Sequence, residues 1–327
     1  MTDEMLGALT DKIHELTSIV LVNPQLAHLD AFCTGRINFL KLDFEKYLAR
    51  LEPNSEETKL LINQVTINET YFFREERQFE FLYDEFFPRF KGKEIKIWSA
   101  ACSTGEEALS LLALAEFCGT KPTMYASDID EETLKFFRQG RYAKFSFRPD
   151  GALFHPVLNM HGHFEDSQFV VDPEFLGKIH IFQHNLSTEQ RPPIMENMDL
   201  IFMRNVFIYF DQDGRIKITG KVANLLKENG LLFYSTNEVL SISENVLKGQ
   251  IKKEKTDMVY YFVKKGLNQN ESEKTDEKQA AKTNSQKKTA SCKGEKKDIK
   301  TLAEEIKKKH AHSDIKSGTT CTADAAA

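Results

Sequence analysis

Glu106 and Glu107 stand where a nucleotide-binding turn would ordinarily hold no negative charge. They follow the stretch KEIKIWSAACSTG (93–105). In it Ile95, Ile97 and the run 98–101 have the composition of a buried parallel strand, and Cys102, Ser103, Thr104 and Gly105 make a tight turn. Beyond them Ala108, Leu109, Leu111, Leu112 and Leu114 recur at helical spacing. A strand, a turn of small residues and a helix N-terminus form a nucleotide-type pocket. Two carboxylates on the first helical turn suit the helix dipole and repel a phosphate. The ligand predicted by this turn is a nucleoside with little negative charge, or a cation. Glu107 is the candidate ligand; Glu106 fits a helix-start charge as well as it fits a ligand.

The ends of later strands supply the other groups such a pocket needs. YASDID (125–130) closes a second apolar run about two dozen residues past the turn, where an acid accepts hydrogen bonds from ribose hydroxyls. Asp128 is therefore the ribose candidate, and Asp130 the cap of the helix that opens with Glu131 and Glu132. His184, Asn185 and Leu186 follow a third run, where the amide of Asn185 and the apolar side chain of Leu186 suit an adenine edge and face. MRNVFIYFD (203–211) follows a fourth. Arg204 and Asn205 would be costly on a buried strand without partners, so they belong to the turn after it, facing the ligand. Tyr209 serves either packing or the reacting site, and Asp211 caps the helix starting at Gln212. Upstream, VTINETYFFRE (65–75) contains Asn68, Thr70 and Arg74. Positions 70 and 74 would share a helical face, and an arginine directed at a pocket can hold a carboxylate bidentately.

The elements that must position these groups are legible in outline. Residues 1 to 65 read as helices, with Pro24 in the first turn of the second, a longer helix over 36–51, and Ser55 capping the next. Arg36, Lys41, Lys46 and Arg50 read either as a docking face for an acidic partner or, because Lys41 points away and Asp43 interrupts the stripe, as a solvated surface of that longer helix, the reading preferred. From residue 95 onward, strand candidates at 95–101, 123–127, 179–183, 199–203 and 231–235 alternate with helix candidates at 105–118, 131–139 and 212–228. That alternation predicts an α/β fold with a mostly parallel, Rossmann-like sheet. GQIKKEKTDMVYYFVKK (249–265) reads as an antiparallel edge hairpin. The expected organisation is a helical region 1–67, a catalytic domain 68–265 interrupted by a small inserted strand unit that includes 168–171, and a Lys-rich tail 266–327 expected to be disordered.

Bulk properties narrow the function. A formal net charge of -5 argues against a nucleic-acid binder. No apolar run approaches the roughly 18–20 residues of a membrane span, and the acidic start MTDEM is unlike a signal peptide. Five cysteines without CxxC spacing fit reduced thiols in a cytoplasmic protein and no metal site.

The sheet pattern also allows a dehydrogenase, but the turn lacks GxGxxG and carries acids at the pyrophosphate position. S-adenosylmethionine fits better, with its adenosine, its lack of phosphate and its sulfonium cation. VTINETYFFRE, IWSAACSTGEEALS, YASDID, HNL, IFMRNVFIYFD and GLLFYSTNE, in this order, resemble the chemotaxis receptor methyltransferases, the CheR family. The resemblance covers residues 1–265. It implies a helical N-terminal domain and a class I S-adenosylmethionine-dependent methyltransferase domain with a β-subdomain inserted at about 145–183. It implies cofactor contacts at Asn68, Thr70, Arg74, Glu107, Asp128, Asn185, Leu186, Arg204 and Asn205, with Arg74, Arg204 and Tyr209 nearest the transferred methyl.

The implied reaction methylates glutamate side chains on cytoplasmic domains of membrane chemoreceptors, without membrane insertion, giving γ-methyl esters and S-adenosylhomocysteine. A carboxylate with a pKa near ~4.3 needs no general base, which agrees with the absence of a Ser/His/Asp or Cys/His constellation. Arg74→Ala and Arg204→Ala are expected to fold and to transfer methyl slowly. The sequence departs from the family where 36–50 is sparsely basic, and in its tail. The alternatives are an O-methyltransferase with another protein or small-molecule acceptor, and a non-catalytic S-adenosylmethionine-binding signalling module.

Overall fold

Side-chain caps set the borders of the N-terminal helices. Thr2 accepts the Met5 N–H (3.2 Å) ahead of α1 (Asp3–Thr17). α2 (Asn23–Leu40) carries Pro24 in its first turn. Asp43 accepts the Lys46 N–H (2.8 Å) ahead of α3 (Phe44–Ala49), and Ser55 accepts the Thr58 N–H (3.2 Å) ahead of α4 (Glu56–Val65). The single helix expected over 36–51 is therefore two. Lys41 turns left-handed (φ 53°) and closes α2, after which the Asp43 carboxylate offers the backbone a better partner than a continued helix would. The four basic positions consequently do not share one helix. Arg36 pairs with Glu57 of α4, and Lys46 with Asp43 at 2.7 Å.

The computed structural model describes residues 1–188, 192, 196–242, 250–257, 259–265, 299 and 301. After α4 the backbone of 66–75 is extended and turned rather than helical, with Phe73 (φ 55°) and Glu75 (φ 61°) left-handed. The cause is non-local. The Phe72 N–H donates to the Ser146 carbonyl (2.9 Å) and the Phe73 N–H to Ser110 Oγ (2.9 Å), so donors a helix would use are committed elsewhere. Positions 70 and 74 thus share no helical face. Helix resumes at α5 (Glu76–Phe81) and runs through a wide turn and a tight turn to Phe90.

The remaining helices are α6 (Glu106–Phe117), α7 (Glu131–Gln139), α8 (His155–Leu158), α9 (Pro173–Leu176), α10 (Gln212–Leu225) and α11 (Thr236–Ser241). The strands are β1 (Glu94–Ala100), β2 (Lys121–Asp128), β3 (Arg141–Ala143), β4 (Gly162–Glu165), β5 (Gln168–Val171), β6 (Ile179–Gln183), β7 (Met198–Met203), β8 (Leu226–Phe233), β9 (Ile251–Thr256) and β10 (Val259–Lys264). They form a seven-stranded sheet in the order β6-β2-β1-β7-β8-β10-β9 and a three-stranded sheet β3-β5-β4. From β6 to β8 every pairing is parallel, and β10 is antiparallel to both its neighbours. This is the topology of a class I methyltransferase domain with an edge hairpin. The small sheet draws in 141–143 while 179–183 belong to the large sheet, so the inserted unit lies a few residues earlier than 145–183.

Strand alternation builds two cores. Ile95, Ile97, Leu200, Phe202 and Phe233 face α6 and the inserted sheet. Trp98, Ala100, Ile201, Met203 and Tyr234 face α10 and the N-terminal helices, whose Leu9, Ile13, Leu29 and Tyr47 join the same cluster. Ile299 is buried in the first cluster, so at that residue the chain is held against the core. Otherwise the expected disorder of 266–327 concerns residues outside the described ones, Thr301 apart. Among the described residues no helix is long and apolar enough to cross a membrane.

Candidate active site

The chain leaves β1 and β7 toward opposite sides of the sheet, and a cleft opens where the strand order reverses, beyond the carboxyl ends of the strands. The β1–α6 turn is made of left-handed residues: Ala101 (φ 61°), Ser103 (φ 50°) and Gly105 (φ 95°). Gly105 is required twice over, by its φ and because a Cβ there would collide with the Phe137 ring. The Cys102 N–H donates to the Ser127 carbonyl (2.9 Å) and fastens the turn to β2. The next donor, the Ser103 N–H, reaches Asp128 Oδ2 at 2.8 Å, while the Asp130 N–H reaches Asp128 Oδ1 at 3.0 Å. Asp128 is thereby held rigidly at the cleft wall. Burial pushes its carboxyl up to about 6, against the lowering effect of those backbone donors.

The two glutamates divide. Glu107 lines the cleft; Ser99 Oγ donates to its Oε1 (2.6 Å), and its Oε2 lies 3.0 Å from Arg204 Nε. Burial raises its pKa and Arg204 opposes that rise. Glu106 does not line the cleft. It is buried behind the turn, accepting from Thr104 Oγ1 (2.6 Å) and Ser146 Oγ (2.9 Å), and so ties the turn to the inserted unit. The ambiguity over Glu106 resolves toward structure.

Arg204 and Tyr209 reach the cleft wall, where Nη1 of the one and the hydroxyl of the other are committed to the protein. The Arg204 side chain is 2 % exposed, and its Nη1 donates to the Arg74 carbonyl and to Gln78 Oε1, both at 2.8 Å. An alanine there would strand a buried Glu107, so Arg204→Ala is expected to cost stability as well as transfer. The Tyr209 hydroxyl donates to the Ile67 carbonyl (2.9 Å) and accepts the Ile67 N–H (2.6 Å). Burial pushes its pKa up to about 12. Arg74 differs. It is partly exposed, and its Nη1 donates to the Glu69 carbonyl (2.8 Å) beside the Tyr71 ring, leaving other guanidinium donors for a ligand at the mouth.

Asn68, Thr70, Asn185, Leu186 and Asn205 also line the cleft, so every residue singled out as a ligand from the sequence converges there. Asn68 Nδ2 donates to Asp130 Oδ2 (3.1 Å), and Asp130 caps α7 as expected. Asn185 Nδ2 donates to the Leu16 carbonyl (3.1 Å) at the end of α1. Asn205 is left-handed (φ 57°), and its N–H donates to Glu238 Oε2 (2.8 Å).

Sequence reasoning missed Thr17 and Ile19, which bring the end of α1 to the cleft, and the buried Gln78 and Glu238 behind it. For Thr17 and Ile19 the sequence carries no local signal. The Ser235–Glu238 spacing is a capping-box signature that would have flagged Glu238. The cleft encloses about 840 Å³, including the space open at its mouth. Its wall carries the buried carboxylates of Glu107 and Asp128, no lysine among the described lining residues, and a buried Arg204 already paired with Glu107, a set that suits an adenosine bearing a cationic centre better than a phosphate.

A family model described as CheR methyltransferase, SAM binding domain, matches residues 68–256. The chain is 34% identical over 260 residues to a chemotaxis protein methyltransferase of Escherichia coli, covering 76% of this chain and 90% of that protein. A chemotaxis protein methyltransferase of Borreliella burgdorferi is 31% identical over 222 residues, covering 62% of this chain and 76% of its own length. Chemotaxis protein methyltransferase 2 of Vibrio cholerae is 30% identical over 279 residues, covering 81% and 95%.

Proposed function

Since the chain belongs to the CheR methyltransferase family and is an S-adenosylmethionine-dependent methyltransferase of chemotaxis, we propose that its acceptors are glutamate carboxylates in the cytoplasmic domains of membrane chemoreceptors. The products are glutamate γ-methyl esters and S-adenosylhomocysteine, and the enzyme works in the cytoplasm. One observation carries this reading: the partly exposed Arg74 guanidinium lies at the mouth of a cleft whose deep wall is acidic. A basic group thus meets the acceptor while carboxylates meet the donor.

When bound, S-adenosylmethionine supplies an electrophilic methyl on a positively charged sulfur. Glu107 and Asp128 hold the cationic nucleoside, Asp128 at the ribose. Asn68, Thr70, Asn185, Leu186 and Asn205 complete the wall, and Arg204 holds Glu107 in place. Arg74 turns the acceptor carboxylate toward the methyl without binding it so tightly that it loses reactivity. Tyr209 fixes the segment from which Arg74 projects. Alignment of this kind can supply about 7–11 kcal/mol of rate acceleration.

A hydroxyl acceptor would require a base. The one imidazole among the described lining residues, His184, has its pKa pushed down to about 4, by burial and then by Lys221, and so is a weak base at neutral pH. A carboxylate acceptor has no such need. The test is incubation with methyl-labelled S-adenosylmethionine and receptor signalling domains. Label released as methanol by mild base supports the proposal; base-stable label, or none on the receptors, rejects it.

A further inference from the structure

Gln78 sits on α5, is 3 % exposed and does not line the cleft. Its side chain is nonetheless fully engaged. Nε2 donates to the Tyr234 carbonyl (2.8 Å) and to Glu75 Oε2 (3.1 Å), and Oε1 accepts from Arg204 Nη1 at 2.8 Å. The opposite amide orientation would set its NH2 against the guanidinium and its oxygen against two acceptors, so the orientation is determined by its surroundings. Glu75 is itself held, accepting from the Thr236 N–H (3.0 Å) and Thr236 Oγ1 (2.8 Å). A chain of bonds therefore runs from the start of α11 through Glu75 and Gln78 to Arg204.

At the far end of this chain the Arg204–Glu107 contact is incompletely aligned. Nε lies 3.0 Å from Glu107 Oε2, yet it lacks a hydrogen bond of good geometry. The position of the guanidinium is set instead by what grips Nη1, the Arg74 carbonyl and Gln78, with the Phe79 and Phe202 rings flanking it at 5.9 and 5.3 Å. An apolar residue would fill this place on α5 without the desolvation cost of an amide. Besides its bonds to the Tyr234 carbonyl and Glu75, the amide makes one contact that leads toward the cleft, the one with Arg204.

We infer that Gln78 is a positioning residue for methyl transfer, acting through Arg204 to hold Glu107 in the orientation that binds the methyl donor. The inference rests on the reading of Glu107 as a ligand of S-adenosylmethionine. Gln78 touches neither donor nor acceptor. Its removal acts first on donor affinity, and on the receptor side only as far as Arg204 shifts against the Arg74 carbonyl. Glu107 is faced by Arg204, Arg74, Glu75 and the Ser99 hydroxyl. A displaced Arg204 leaves its carboxylate easier to protonate, so the acid limb of donor binding moves to higher pH.

The experiment is a double-mutant cycle on the full chain with Gln78→Leu, Glu107→Gln and both together. S-adenosylhomocysteine affinity is read by calorimetry between pH 5 and 8, and KM is determined separately for donor and receptor. Gln78→Leu is expected to weaken binding about ten-fold, to raise KM for the donor more than for the receptor, and to add nothing to the loss caused by Glu107→Gln. Gln78→Met carries the same expectation should the leucine variant fold poorly. Independent, additive losses, or wild-type affinity in the Gln78 variants, overturn the inference while leaving the role of Glu107 intact. Wild-type affinity in Glu107→Gln overturns both.

Discussion

Asp128 offers a test in which stability and ligand binding move oppositely with pH. Its carboxyl titrates at about 6 in the fold, against 3.8 ordinarily, because burial disfavours the ionised form. Between those values the folded state binds more protons than the unfolded one. Stability from this group is therefore full below pH ~4 and is lost as pH rises to ~6, by about 3 kcal/mol in all. Asp128→Asn removes the titration. It also leaves one oxygen where two now accept the Ser103 and Asp130 N–H groups, which costs about 1–3 kcal/mol. The two proteins should thus be of similar stability at pH 8, and wild type should gain on the variant by about 3 kcal/mol as pH falls to 4. Denaturant titrations across that range measure this difference, in which the other titrating groups cancel. Binding goes the other way. In the proposed role ribose hydroxyls donate to the ionised carboxylate, so wild-type affinity for S-adenosylhomocysteine should fall as pH drops through 6, and the variant should bind weakly throughout that window. A stability difference that stays constant with pH would refute the account of Asp128 as a buried carboxyl strained by its ionisation.

The other substitutions separate groups that face ligand from groups that face protein. Arg74→Ala should leave folding stability within about 0.5 kcal/mol and slow receptor methylation on the order of a hundred-fold; normal transfer would remove Arg74 from the mechanism. Arg204→Ala should lower the stability measured in denaturant by about 3–5 kcal/mol, because it strands Glu107 in a buried site, and an unchanged midpoint would contradict the buried pair. Tyr209→Phe should cost about 1–3 kcal/mol and speed exchange of the Ile67 amide proton, whose acceptor is the lost hydroxyl. Unaltered exchange there would show that the hydroxyl does not hold that segment.

Legibility in the sequence followed the range of the interactions. The parallel strands were readable because burial on both faces imprints near-continuous apolar runs, and Asp128, Glu107 and Arg204 because charged groups at the ends of such runs need an external reason. The break at Lys41 was also readable in principle, since Asp43 starts a new capped helix; the apolar spacing from Ile37 to Leu48 concealed it. The conformation of 66–75 was not readable. Its Phe72 and Phe73 N–H groups are satisfied by Ser146 and Ser110, whose placement depends on the inserted unit and on α6. Gln78 was opaque for the same reason, an amide among aromatics whose purpose is visible only once Arg204 lies beside it.

That segment, unreadable locally, joins the parts of the site. Ile67 is held by Tyr209 from beyond β7, and the Asn68 carbonyl accepts from Ser103 Oγ (3.2 Å) of the β1–α6 turn. Arg148 of the inserted unit pairs with Glu69 at 2.8 Å and stacks on Tyr71, whose hydroxyl donates to Asp150 (2.7 Å). The Arg74 carbonyl takes Arg204. The residue proposed to orient the acceptor is thus fixed by the cofactor turn, by the inserted unit and by the buried arginine together. No single loop positions Arg74, and a perturbation of any of these contacts should slow methyl transfer through it as well as cost stability.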